Sequence, residues 1–208
     1  KELQEYFTLP RHHVHYIPNF ITPEEEENIL NKVNSSPKPK WTQLRNRRLQ
    51  NWGECPIPMF LISFVSLLSV YNQSNRPNHV LVNEYLPGQG IMPHTDGPLF
   101  HPIVTTITCG SHTDQGCTTS ELGLPKPCAS FLLERQSLLI LQEDMYHRHL
   151  HGISERMEDT IDETIKNLHL CQAKVGDELK RSTRISLTIR NAPKSTKIKF
   201  CLSSFFKW

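Results

Sequence analysis

The chain has 208 residues, which is enough for one domain with a sizeable core. Hydrophobic residues make up 37%, and 15 Pro with 9 Gly favour many turns and short strands over a helical bundle. The formal net charge of +2 excludes a general attraction to nucleic acid, so any such affinity must come from a local patch. The apolar run 59–70 is too short to cross a bilayer of about 30 Å as a helix, and we expect no membrane association.

The first predicted element is a helix in "FITPEEEENILNKV". Thr22 is the expected N-cap, and Glu25 completes a capping box. The acidic run after Pro23 suits the positive end of a helix dipole, so it marks a helix start and not an acidic binding tail. Ile29, Leu30 and Val33 form a short apolar stripe that predicts packing against a core.

The pattern changes from helix to strand at Val80. Five short runs rich in Val, Ile, Leu and Thr are bounded by Gly, Pro or charged residues, namely HVLVNEYL, VTTITC, ASFLLE, SLLILQ and RISLTIR. Because they do not alternate regularly with helices, they predict an antiparallel sandwich or barrel. Residues 155–180 are charged and weakly periodic, which predicts a loop or a frayed helix.

A His-x-Asp triplet, His94 and Asp96 in "MPHTDGPLF", predicts half of a metal site. On an extended segment the two side chains point the same way and can hold one ion. A third ligand is available in "MYHRHLHGI", which supplies His147, His149 and His151. Two histidines and one carboxylate on one face of an octahedral ion are typical of non-haem Fe(II) oxygenases. The alternative is that these histidines are solvated loop residues.

A second polar cluster lies on the strand "RISLTIR", where Arg184, Ser186 and Arg190 share one face. Two inward arginines are costly unless an anion pairs with them. A small dicarboxylate would suit both, since each guanidinium can bind a carboxylate through two hydrogen bonds. Asn83 and Tyr85 could offer further polar contacts. The alternative is an exposed strand face with its charges in water.

A basic segment, residues 38–48, contains no acid. Its candidate nucleic-acid-binding residues are Lys38, Lys40, Trp41, Arg45, Arg47 and Arg48, with Trp52 close by in sequence. Such charges can follow a phosphate backbone while an aromatic ring stacks on an unpaired base. A solvated basic loop is the alternative.

The ordered motifs "NEYLPGQGIMPHTDGP", "SLLILQEDMYHRHLHGI" and "RISLTIRNAP" resemble the AlkB family of Fe(II)- and 2-oxoglutarate-dependent dioxygenases. The similarity extends to "VHYIPNFITPEEEENIL" and "PKPKWTQLRNRRLQNWG", so the matching blocks cover about two-thirds of the chain. The resemblance implies a mainly β fold, a double-stranded β-helix (jelly roll) with an N-terminal helical layer. It also implies Fe(II), 2-oxoglutarate and O₂ as cofactor and co-substrates.

The resemblance also implies residue roles. His94, Asp96 and His151 match the iron ligands, and His151 is chosen over His147 and His149 because the family's ligand directly precedes Gly-Ile. For 2-oxoglutarate the matching positions are Asn83, Tyr85, Arg184, Ser186 and Arg190, with Arg184 on the distal carboxylate. Several relatives carry Asn where this chain has Ser186.

The family pattern divides the chain into three parts: a helical and substrate-lid region at 1–78, the dioxygenase domain at 79–193 and a divergent tail at 194–208. Segments 54–76, 113–130 and 194–208 depart from that pattern. These departures concern the substrate lid and not the metal or co-substrate positions.

The implied reaction is oxidative: a C–H bond is hydroxylated, and an N-methyl group then leaves as formaldehyde. We expect single-stranded or damaged nucleic acid as the partner, a monomer, and a location in cytoplasm and nucleus, with free thiols as in a reducing compartment. The alternatives are a protein hydroxylase or demethylase, and a nucleic-acid-binding module with little turnover. Pro98 stands where nucleic-acid demethylases of the family carry an acid that reads cationic bases, so we expect poor activity on 1-methyladenine.

Overall fold

The computed structural model describes residues 7–9, 14–52, 70–119 and 126–193. The helices are α1 (Pro23–Asn34) and α2 (Asp144–His147), with 3-10 turns at Lys38–Lys40 and Leu168–Leu170. The strands are β1 (Phe7–Leu9), β2 (Val14–Ile17), β3 (Thr42–Gln43), β4 (Arg48–Asn51), β5 (His79–Tyr85), β6 (Ile91–His94), β7 (Ile103–Cys109), β8 (Thr113–Thr119), β9 (Lys126–Leu133), β10 (Leu138–Gln142), β11 (His149–Ile153), β12 (Glu158–Thr160), β13 (Glu178–Lys180) and β14 (Arg184–Arg190). Neither described helix has the length and apolar character needed to cross a membrane.

Helix α1 begins at the predicted cap. The Thr22 hydroxyl accepts a hydrogen bond from the Glu25 backbone N–H at 3.2 Å, and the Glu25 carboxylate accepts one from the Thr22 N–H at 2.8 Å. The capping box is thereby confirmed. Ile29 and Val33 are buried against the core, while Leu30 is partly covered by it.

Two antiparallel sheets face each other and form the jelly roll. The large sheet has the strand order β1-β2-β10-β7-β14-β5-β4-β3, and the small sheet has the order β6-β11-β8-β9. All five strands predicted from the sequence are present, as β5, β7, β9, β10 and β14. The predicted fold class is confirmed.

The two faces of the large sheet have different neighbours. Helix α1 packs on one face, in a core that includes Ile185, Leu187 and Ile189 of β14. Between the two sheets lies a second core built around Tyr16 and Phe131. Residues on β14 that alternate with the isoleucines therefore point toward the small sheet, and this side contains the candidate site.

The N-terminal part of the chain is not only helical. Strands β1 to β4 join the same large sheet as β5 to β14, so residues before 79 help to build the jelly roll. The divergent segment 113–130 supplies β8 and most of β9, which pair with each other. Residues 54–69 of the divergent segment 54–76, which hold all of the apolar run except Val70, and the tail at 194–208 lie outside the described residues.

Residues 155–180 are mostly turns and loop, in line with the predicted loop, but they also contain two short strands that were not predicted. Strands β12 and β13 pair as a two-stranded sheet, and Ile161 and Ile165 pack on Leu132 of β9. A buried ion pair closes this segment: Arg181 donates from Nε and Nη2 to the two Asp159 oxygens at 2.7 and 2.6 Å. The weak periodicity of the sequence hid this structure because its strands have three residues each.

Replacing Asp159 with alanine is expected to lower the free energy of unfolding by about 3–5 kcal/mol, because Arg181 would stay buried without its partner. Chemical denaturation checks this value. The exposed pair Arg148–Asp144, at 3.6 Å, is the control, and Arg148→Ala should change stability by less than about 0.5 kcal/mol. Equal effects in both variants would contradict the buried-pair explanation.

The same carboxyl predicts acid sensitivity. Burial pushes the pKa of Asp159 up, but hydrogen bonds from His112 and Arg181 outweigh it and hold the pKa below its ordinary value. A depressed pKa in the folded state stabilises the fold above the unfolded value of about 3.9, and this stabilisation is lost progressively as the pH falls from that value through the folded pKa. We therefore expect the difference in unfolding free energy between the parent protein and Asp159→Ala to shrink steadily as the pH falls below about 3.9.

Candidate active site

A cavity of about 610 Å³ lies between the two sheets. Its walls come from the inward faces of β5, β7 and β14 in the large sheet and from β6, β8 and β11 in the small sheet. The turn between β3 and β4 contributes Leu44, Arg45, Asn46 and Arg47. The cavity therefore opens beside the basic segment that the sequence singled out.

The three predicted iron ligands meet in this cavity. Strand β11 pairs with β6 so that His151 lies directly opposite His94, and their ring centroids are 4.6 Å apart. Asp96 follows β6, and its Oδ2 lies 3.4 Å from His151 Nε2. His94 Nδ1 is 2.9 Å from the Met92 carbonyl oxygen, which leaves Nε2 as the available ring nitrogen.

The electrostatics of these side chains suit metal binding. Burial lowers the pKa of His94, and the neighbouring His151 lowers it further, so the neutral ring that ligates metals is favoured. Burial alone would raise the pKa of Asp96. Hydrogen bonding to His151 and the charge of Arg190 reverse this effect and keep the carboxylate ionised.

The three candidate ligands lie near one another, but their donor atoms are not at the distances of a metal site. Among the residues that the structure describes, no group of three His, Cys, Asp or Glu side chains already stands at metal-binding distances. The donor types nevertheless fit iron, as two imidazoles and one carboxylate line the same wall. His151 Nδ1 is also buried without a hydrogen-bond partner, so a polar group is missing from its surroundings.

The other two histidines of "MYHRHLHGI" lie elsewhere. His147 is exposed at the end of α2, and His149 is buried with Nδ1 at 3.0 Å from the Asp144 carbonyl oxygen. Gly152 follows His151 where β11 passes close to β6, and a Cβ there would lie 2.9 Å from the backbone nitrogen of Pro93. The small residue allows the two strands that carry the candidate histidine ligands to pair.

Arg184 is buried at the inner end of the cavity. It lies opposite Tyr85 across the β5–β14 pair, with its Cζ 5.6 Å from the tyrosine ring centroid. Its Nη2 donates to Thr108 Oγ1 at 2.9 Å, while Nε and Nη1 have no partner. Burial lowers the pKa of its guanidinium to about 10, so the group remains charged at neutral pH. A buried cation with unused donors is a binding site for an anion.

Arg190 holds the second oxygen of Asp96, donating from Nη1 to Oδ1 at 2.5 Å. Phe100 covers the guanidinium, with its ring centroid 3.9 Å from Arg190 Cζ. Tyr146 donates to the Gly97 and Phe100 carbonyl oxygens and so fixes the chain that follows Asp96. Sequence reasoning missed Phe100 and Tyr146, since neither carries a spacing or charge signal.

Asn83 and Ser186 complete the predicted co-substrate face. They are direct partners in the β5–β14 register, and both line the cavity. Asn83 Oδ1 accepts a hydrogen bond from Arg47 Nε at 3.1 Å, a contact that the sequence did not predict. All five predicted co-substrate residues therefore lie on one wall.

The basic segment divides into two groups. Lys38, Lys40 and Arg45 are exposed. Arg48 instead makes two hydrogen bonds to Glu84 at 2.5 and 2.7 Å and covers the half-buried Trp41 ring, 4.1 Å from its centroid. These contacts neutralise Arg48 and occupy one face of the tryptophan.

Trp52 cannot stack on a base from the protein surface. Its ring is buried in the main core, and its indole N–H donates to Gln50 Oε1 at 2.7 Å. The exposed lysines and Arg45 are therefore the part of the segment that faces solvent.

Residues 39–190 match the 2OG-Fe(II) oxygenase superfamily, and the chain belongs to this family of Fe(II)- and 2-oxoglutarate-dependent enzymes. Over 201 residues it is 49% identical to a protein of Danio rerio named as a probable RNA/DNA demethylase, ALKBH6, covering 87% of this chain and 86% of the relative. An uncharacterised protein of Acanthamoeba polyphaga mimivirus is 29% identical, covering 86% of this chain and 84% of its own length.

Solved structures share the fold. The structure of OsALKBH1 matches with a TM-score of 0.57 at 14% identity, over 86% of this chain and 97% of that one. A prolyl-4-hydroxylase of Pseudomonas putida matches with a TM-score of 0.53 at 10% identity, over 88% and 95%. The AlkB-like resemblance read from the sequence is confirmed, and the chain is a dioxygenase that uses Fe(II), 2-oxoglutarate and O₂.

Proposed function

We propose that this dioxygenase removes or hydroxylates alkyl groups on nucleic acid. The observation that carries the proposal is the cavity in which a buried anion site, Arg184, shares a wall with two histidines and an aspartate. The nucleic-acid part rests on the 49% identical relative named as a probable RNA/DNA demethylase and on the exposed basic residues beside the cavity.

In this proposal His94, Asp96 and His151 hold the iron. When bound, Fe(II) with 2-oxoglutarate and O₂ supplies the oxidising power that hydroxylates a C–H bond. The protein contributes the placement. Arg190 keeps Asp96 ionised and oriented through its hydrogen bond to Oδ1, and this leaves Oδ2 toward His151.

Arg184 would bind the distal carboxylate of 2-oxoglutarate. Its free Nε and Nη1 donors suit a carboxylate, which can accept two hydrogen bonds from one guanidinium. Tyr85 and Ser186 flank this position, and Asn83 is the partner of Ser186 on β5. Pairing the buried cation with the co-substrate would also exclude water from the inner end of the cavity.

The exposed cations Lys38 and Arg45 are proposed to contact the phosphate backbone. The double variant Lys38→Glu/Arg45→Glu is expected to weaken binding of single-stranded RNA or DNA. Because each lost phosphate contact removes about 0.7 from the log–log salt slope, the slope should fall by about 1.4. Fluorescence anisotropy across a salt series measures both changes. The matched control is the double variant Lys166→Glu/Lys174→Glu, which changes two exposed lysines in the segment 155–180. This variant should bind nucleic acid normally. Salt-independent binding would contradict the proposal.

Succinate release tests the proposed function as a whole. Purified enzyme with Fe(II) and 2-oxoglutarate is offered methylated RNA, methylated DNA and methylated peptides, and release above the substrate-free rate is measured. We expect stimulation by nucleic acid only. Stimulation by peptide alone would favour a protein hydroxylase, and binding of nucleic acid without stimulation would favour a binding module.

We also propose that the enzyme acts as a monomer in cytoplasm and nucleus, the compartments where RNA and DNA substrates occur. Fractionation of cells with detection of the native protein tests the location, and sedimentation analysis tests the monomer.

A further inference from the structure

We propose that the cavity selects an electrically neutral methylated base over a cationic one, and that Arg47 imposes this choice. The inference rests on the proposed function and narrows its substrate class. It follows from the charges of the cavity wall and from the way in which one guanidinium is held at the mouth.

The described wall is strongly cationic. Four arginines line it, Arg45, Arg47, Arg184 and Arg190, and Asp96 is the one acid among the described lining residues. That carboxylate is already paired with Arg190 and lies beside His151. Even after a dicarboxylate co-substrate binds, the wall retains an excess of positive charge, which repels a cation most strongly in a cavity of low dielectric.

Arg47 is fixed over the cavity and does not swing freely in solvent. Its Nε donates to Asn83 Oδ1 at 3.1 Å, which ties the β3–β4 turn to strand β5. Its carbonyl oxygen accepts hydrogen bonds from Leu44 N at 2.9 Å and Gln43 Nε2 at 3.2 Å. The neighbouring Asn46 donates to Glu155, which follows β11. The guanidinium is therefore a positioned charge where a substrate base must enter.

Nearby acids do not offset this charge. Glu84 is held by Arg48, and Asp114 accepts a hydrogen bond from Ser130, and neither lines the cavity. Glu155 keeps its charge, since its partner Asn46 is neutral, but it is exposed to solvent, which screens that charge, and it does not line the cavity. Pro98 is exposed on the turn after Asp96 and is not part of the described wall. Among the described lining residues, a cationic base would thus meet no acid that is not already paired.

Isomeric bases separate charge from size and composition. N6-methyladenine is neutral and 1-methyladenine is cationic at neutral pH, yet the two are isomers. Each is adenine with one methyl group, on the exocyclic N6 amine in the first and on ring N1 in the second. Two oligonucleotides of one sequence, each with one of these bases, are compared by demethylated product and by equilibrium binding without O₂. We expect at least a tenfold preference for the neutral isomer in both measurements. The pair N4-methylcytosine and 3-methylcytosine should show the same order.

Arg47→Glu is expected to lower the ratio of neutral-isomer to cationic-isomer use at least tenfold, or to reverse the preference. Arg47→Gln should give an intermediate ratio. Lys166→Glu, the same change of charge at an exposed site, should leave the ratio unchanged. Binding of 2-oxoglutarate and the thermal midpoint are measured on each variant, so that a folding defect is recognised.

Equal use of the two isomers, or a preference for the cationic one, would overturn the inference and leave the proposed function standing. Oxidation of neither isomer, with substrate-free succinate release intact, would overturn the inference together with the nucleic-acid assignment. Loss of substrate-free release in the parent protein would contradict the dioxygenase assignment itself. Should Arg47→Glu fail to fold, the inference is still tested by comparing the preference for the neutral isomer in the parent protein with that in Arg47→Gln.

Discussion

Asp96→Ala and His151→Ala are each expected to abolish Fe(II) binding. Each variant removes one of the three proposed ligands, and we expect the remaining two side chains not to hold the ion against water. Anaerobic titration of the parent protein with Fe(II) and 2-oxoglutarate should develop the weak visible absorption of the metal–ketoacid chelate, and both variants should lack it. The measurement needs no substrate and is independent of turnover.

The control for this prediction lies in the same peptide. His147 is exposed and His149 is directed to the Asp144 carbonyl oxygen, so His147→Ala and His149→Ala should retain the absorption. His149→Ala removes a buried side chain, and its lower stability is measured separately. An essential His149 together with a dispensable His151 would show that the assigned ligand set is wrong.

Arg184→Ala is expected to weaken 2-oxoglutarate binding by about 2–5 kcal/mol, the scale for stripping a buried charge of its partner. Isothermal titration calorimetry of the anaerobic Fe(II) protein gives the change directly. Iron affinity should change much less, because Arg184 does not contact the ligand set in the described structure. In the parent protein 2-oxoglutarate should raise the melting temperature, and in the variant this shift should vanish.

The variant Arg184→Met separates the proposed co-substrate role of Arg184 from a purely structural one. Two donors of Arg184 have no partner, so replacing it with an apolar side chain of similar length removes a desolvation cost. Arg184→Met should therefore be at least as stable as the ligand-free parent protein while failing to bind 2-oxoglutarate. Destabilisation of the ligand-free variant with intact 2-oxoglutarate binding would refute the assigned role.

Local features could be predicted from the sequence because their causes are local. The capping box needs only Thr22 and Glu25 three residues apart, and both hydrogen bonds are present. Strand β14 was predicted from alternation, which also separated its arginines from its isoleucines. The metal and co-substrate residues were candidates for the same reason, as their spacing determined which side chains share a face.

Pairing between distant strands required the tertiary structure. His151 becomes a partner of His94 because β11 pairs with β6 in that register, and a shift by one residue would have turned its side chain to the other face. Alternation does not choose among His147, His149 and His151; the resemblance suggested His151, and the register brings it to the cavity. The N-terminal strands joined the jelly roll because hydrogen bonds along β10 and β5 were available to them.

Only the tertiary structure shows which charges of the basic segment are paired with other residues. In the sequence the basic segment contains no acid, yet Glu84 from β5 neutralises Arg48, and Asn83 fixes Arg47 over the cavity. Trp52 lies close to the basic segment in sequence, but it is buried because it follows β4 into the core that also contains Ile29 and Val33 of α1. Composition and spacing determined which chemistry this chain can carry. The sheet register determined which of those residues meet, because partners far apart in sequence leave no periodic signal of their contact.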